Sequence, residues 1–122
     1  MYADSTTPKI VAPGARSFDL CASLNRPERL APGAIKAIPT GIAMDIPEGY
    51  GLYIASRPGL AKRHEVFVLS STGLVECNFP DELTVILKNS GTEPFFVNPG
   101  AKIAHAWVTE VSSVNFKEIH DE

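Results

Sequence analysis

Proline and glycine interrupt this chain too often for long helices. Ten prolines and nine glycines stand among 122 residues. Turn-forming clusters recur at intervals of roughly eight to twelve residues, the spacing of an all-β sandwich or barrel. The segments between them suit strands. SFDLCA, at 17–22, sets Phe18, Leu20 and Ala22 against Ser17, Asp19 and Cys21, the alternation of a half-buried strand. Residues 9–11, 33–38, 42–46, 50–55, 66–69, 95–97 and 102–111 are further extended runs, while 25–32 and 88–91 read as a loop and a turn. One helix is expected, GLAKRH at 59–64, of about two turns. The polar, acidic stretch 112–122 is left either as an arm on a neighbour or as a frayed end.

The stretch GLVECNFPDELTVIL, at 73–87, predicts a hairpin whose tight turn lies around Asn78, Phe79, Pro80 and Asp81. Glu76 and Phe79 would sit on the inner edge of that turn. A nucleotide site has use for both, a carboxylate to activate water and a ring to stack on a flat or puckered partner. A solvated Glu76 and a core Phe79 are the plainer alternative.

Composition narrows the function. The length suits a single domain over 1–122, with one core and little room for a large cavity. A net charge of −3 gives no basic excess for nucleic acid, though a small anionic ligand needs only a few local cations. Cys21 and Cys77 are the only cysteines, and they read as reduced thiols of a cytoplasmic protein. The first residues lack the architecture of a signal peptide, and no apolar run approaches the roughly 20 residues of a membrane helix. His64, His105 and His120 do not form a ligand set. Dinucleotide, phosphate-loop, zinc and serine-nucleophile motifs are absent.

Four stretches in order carry a resemblance. They are SFDLCAS at 17–23, SRPGLAKRH at 56–64, GLVECNF at 73–79 and PGAKIAHAWV at 99–108. Together they resemble the motifs of the all-β dUTPase (deoxyuridine triphosphatase) family, and the likeness covers nearly the whole chain. It implies a jelly-roll or β-clip barrel that assembles as a homotrimer, with active sites at subunit boundaries. It also implies hydrolysis of dUTP to dUMP and pyrophosphate with Mg²⁺, the metal being held mostly by phosphate oxygens and waters.

Roles follow position by position. Glu76 matches the aspartate that activates the water attacking the α-phosphorus, its carboxylate one methylene further out. Arg57 matches a phosphate-binding arginine, whose fork suits phosphate, and counts with Glu76 as catalytic. Gly59 matches a glycine that lets a ligand approach the backbone. Pro58 stands for a serine and removes two donors. Phe79 replaces the tyrosine that stacks on deoxyribose. Ser70 replaces a uracil-binding asparagine, leaving the backbone from 71 to 75, with Gly73, Leu74 and Val75, to read the base. Thr84, Lys102 and His105 complete the substrate-binding set. His105 would donate to phosphate; Lys102 would do so or form an inter-subunit ion pair. No residue is expected to bind metal directly. Asp19 would lie near the metal's waters or at the trimer boundary, or merely cap a turn.

The family's glycine-rich C-terminal motif has no counterpart in VSSVNFKEIHDE at 111–122. A lid supplies water exclusion and phosphate donors, so slower turnover is expected of a chain without one. A second reading is therefore a dUTPase-like trimer kept for binding, regulation or structure. A dCTP deaminase of the same fold is set aside, because LTVIL at 83–87 lacks the acid such chemistry needs.

Overall fold

The computed structural model describes residues 17–69 and 82–120, and the backbone alone of 74–76. In chain order the elements are β1 (Ser17–Cys21), β2 (Glu28–Leu30), β3 (Ile35–Pro39), β4 (Tyr50–Ala55), α1 (Pro58–His64), β5 (Val66–Val68), β6 (Leu74–Glu76), β7 (Thr84–Asn89), β8 (Phe95–Val97) and β9 (Lys102–Glu110). This is the expected all-β architecture with one short helix.

Every ladder among the described residues is antiparallel. The first sheet runs β1-β9-β4-β6, the second pairs β2 with β8, and the third runs β3-β7-β5. Alternation decides which side chains go inward. Leu20, Leu52, Ile54, Ala104 and Ala106 enter the core from the first sheet, and Ile38, Val66, Val68, Val85 and Leu87 from the third. Leu30 and Val97 close it from the second. All belong to one buried cluster, held by the removal of apolar surface from water. Gly100 turns the chain into β9 at φ +77°, a conformation glycine adopts without strain.

Four sequence expectations are corrected. Residues 25–32 are not all loop, since Glu28–Leu30 pairs with Phe95–Val97, a distant partner that local composition does not reveal. The alternating run at 42–46 buries Ile46 but joins no ladder; the carbonyl of Ile42 accepts from Leu83 N–H at 2.8 Å. The hairpin does not form as drawn. Leu74–Glu76 pairs with β4, whereas β7 lies between β3 and β5 in another sheet. The turn proposed at 78–81 and the strand proposed at 9–11 lie outside the described residues. The turn expected from residue 88 begins later, because Lys88 and Asn89 still belong to β7.

Candidate active site

The candidate site starts from a row across the first sheet. Asp19 in β1, His105 in β9 and Ala55 in β4 are register partners. Two residues beyond Ala55 the chain reaches Arg57. Its backbone is extended, with φ −79° and ψ 126°, as favoured before proline. Pro58 then opens α1. Proline suits that place, where its missing N–H is an orphan donor in any helix. Ser56 fixes the approach, its Oγ accepting from Val68 N–H at 2.9 Å.

Asp19 is the electrostatic centre. Its Oδ1 lies 3.5 Å from Arg57 Nε and 3.4 Å from His105 Nδ1, and its Oδ2 lies 3.7 Å from Lys102 Nζ. The carboxylate side chain is only 14% exposed, Lys102 59%. Asp19 sits within a strand and so caps no turn. Lys102 meets Asp19 of its own chain. Two permanent cations and a histidine thus gather on one carboxylate, a surplus that suits an anion. Along β9 the His105 ring lies 6.3 Å from that of Trp107. Trp107 stacks on its register partner Tyr53 at 5.6 Å and 16°.

The thiol of Cys21 ends β1 beside this cluster. Burial raises its pKa, and the negative charge of Asp19 adds to the rise; Lys102 and Arg57 pull the other way. It is a free thiol.

Gly59 lies in the first turn of α1, and the space above its Cα is taken. A β-carbon there would stand 2.6 Å from Nη2 of Arg63. Arg63 therefore folds back over Gly59, one helical turn earlier. Sequence reasoning passed over Arg63; the signal was its four-residue spacing from Gly59 in a predicted helix, which puts both on one face.

Other predicted residues lie elsewhere. Thr84 opens β7 opposite Pro39 in the third sheet, apart from the Asp19 cluster. Leu74, Val75 and Glu76 stand in register with Tyr53, Leu52 and Gly51. Gly51 is four residues before Ala55, so the backbone of Glu76 is about 13 Å along the strand from the Asp19 row. Ser70, Gly73 and Phe79 lie outside the described residues.

A metal ion requires a different donor set. Among the described residues no group of three or more His, Cys, Asp or Glu side chains could hold one. Asp19, facing three basic groups, does not fit Mg²⁺, which binds carboxylate and phosphate oxygens and keeps several waters.

The sequence model of the dUTPase family matches residues 3–122. The chain belongs to the dUTPase family. The deoxyuridine 5'-triphosphate nucleotidohydrolase of Chlamydia trachomatis is 41% identical over 118 residues, covering 97% of this chain and 81% of the relative. That of Gloeobacter violaceus is 39% identical over 112 residues, covering 92% and 76%. Solved dUTPases share the fold at lower identity. A mutant dUTPase of phage phi11 of S. aureus, whose structure concerns coordination of a structural Mg(II) ion, has a TM-score of 0.85 at 17% identity, covering 98% of this chain and 94% of that one. Native EIAV dUTPase has a TM-score of 0.77 at 23% identity, covering 100% and 98%. Among the described residues no helix is long and apolar enough to cross a membrane.

Proposed function

We propose that this dUTPase-family chain hydrolyses dUTP to dUMP and pyrophosphate. The observation that carries the reading is the gathering of Arg57, Lys102 and His105 on Asp19, in a chain whose relatives bear the name of this enzyme. The alternative of a fold kept only for binding or structure finds no support in those relatives.

In this reading Glu76 takes the proton of a water as the water oxygen bonds to the α-phosphorus. The bond from that phosphorus to the α–β bridging oxygen breaks, and pyrophosphate leaves with the electron pair. Arg57 and Lys102 balance the charge of the phosphate chain while His105 donates to it, and a fixed cation does so without reorganising during reaction. Phe79 packs on the sugar, and Ser70 with the backbone of 73–75 meets the base. Mg²⁺ enters as the counter-ion of the triphosphate rather than as a resident of the protein. The roughly 13 Å between the Glu76 and Asp19 rows favours a site that takes Glu76 from a second copy, and the assembly we propose is the homotrimer of single-domain chains that the family resemblance implies. Such an enzyme belongs in the cytoplasm and needs neither nucleic acid nor membrane.

The test is pyrophosphate release from a panel of deoxynucleoside triphosphates in ¹⁸O-labelled water. Turnover of dUTP above the others, with the label in dUMP, is expected. Absence of turnover, or label in pyrophosphate, overturns the proposal. Glu76→Gln is expected to lower kcat at least a hundredfold, in line with loss of a positioned general base.

A further inference from the structure

We infer that Arg63 is a second phosphate-binding guanidinium, seated over Gly59 to stand beside Arg57. The inference deepens the proposed function and rests on it. Three observations lead there. First, Arg63 is turned toward the start of α1: its Nη2 occupies the place where a β-carbon on Gly59 would be, 2.6 Å away. Second, it has no carboxylate partner among the described residues, although Glu65 and Glu93 line the same cavity of about 170 Å³ at the other end of the helix. A cation that pairs with neither nearby carboxylate among the described residues and lies back along its own helix is placed to meet an incoming anion. Third, the chain at this place is short of donors. Pro58 has no N–H to offer, and Arg57 turns its Nε to Asp19 at 3.5 Å, which leaves its two terminal nitrogens for a ligand.

Gly59 thus acquires a further role. Any larger residue would fill the seat of the guanidinium and push it outward. The glycine admits an arginine side chain, and the arginine brings a planar fork to the region where Pro58 leaves the backbone one N–H short. A guanidinium fork matches phosphate oxygens in pairs, so the ligand part it would meet is the phosphate chain of the nucleotide.

The experiment measures the Kd of a non-hydrolysable dUTP analogue with Mg²⁺, on the full chain, for Arg57→Ala, Arg63→Ala, Arg63→Lys, Gly59→Ala and the pair Gly59→Ala/Arg63→Ala. Arg63→Ala is expected to weaken binding about tenfold, the scale of one charge-assisted contact. Arg63→Lys should recover part of the loss, since the charge returns without the fork. Deoxyuridine itself should bind alike to the native chain and to Arg63→Ala. In the Gly59→Ala background the further loss from Arg63→Ala should shrink below threefold, because the seat is already spoiled. Analogue binding to Arg63→Ala within twofold of native, while Arg57→Ala is weakened, overturns the inference alone. Fully additive losses in the double variant overturn the seating by Gly59. Native-like binding by Arg57→Ala as well would instead remove the site on which the inference depends.

Discussion

Asp19 brings order to Arg57, Lys102 and His105, the first two being cations that would otherwise repel one another. Asp19→Ala should free Arg57 and raise KM for dUTP about tenfold, since loss of position is costly in such reactions. Most of the carboxylate is buried while Lys102 is largely exposed, so the cost in stability should be modest, about 1 kcal/mol, read by urea unfolding. Unchanged KM would separate Asp19 from the site. Cys21 offers a pH-dependent readout. Burial, then Asp19, holds its folded-state pKa above that of a free thiol. The stabilisation this brings is present below the free-thiol range and is lost as pH climbs through the raised value. Iodoacetamide labelling of Cys21, followed by peptide mapping, should be slower at pH 8 than for an unfolded control and approach it only at higher pH. Equal rates at pH 8 would contradict the burial argument.

At the scale of elements, legibility followed locality. Strand β4 and helix α1 were visible because their limits are written nearby, Gly49 before one and Pro58 at the head of the other. Arg57 and Glu76 were singled out through motif order; what the order hid was their separation along β4. Strand β2 was missed because its three residues become a strand only against β8. Asn89 was read as a turn residue yet is fully buried. Its Nδ2 donates to the carbonyls of Leu30 at 3.0 Å and Glu93 at 2.8 Å, and its Oδ1 accepts from Gly91 N–H at 2.9 Å. One amide thereby fastens the second sheet to the third, a long-range use that no local pattern announces. Asn89→Leu should cost about 3 kcal/mol, because several buried groups lose their partners at once; a loss below 1 kcal/mol on urea unfolding would refute this account. Pro58→Ser tests α1. Serine restores an N–H and a hydroxyl where phosphate is proposed to bind, so kcat/KM for dUTP should rise severalfold. Stability should fall by up to about 1 kcal/mol through the freer unfolded chain.

For the whole molecule, the distance between the Glu76 and Asp19 rows makes assembly part of the proposed chemistry. The stretch after β9 points the same way, since Val114, Phe116 and Ile119 are 70%, 95% and 90% exposed, apolar surface that a lone chain gains nothing by presenting. Sedimentation should find three copies of the 13.1 kDa chain in one particle. Mixing Glu76→Gln with Arg57→Ala chains should restore some activity that neither has alone, and a monomer with full activity would defeat the reading. The order of strands also bears on synthesis. The last of the described strands, β9, lies in the middle of the first sheet, between β1 and β4. On the ribosome β1 must therefore wait unpaired, and β4 with one edge open, until residue 110 has emerged. A message cut short before that point would yield no smaller version of the protein, only a chain for the proteases.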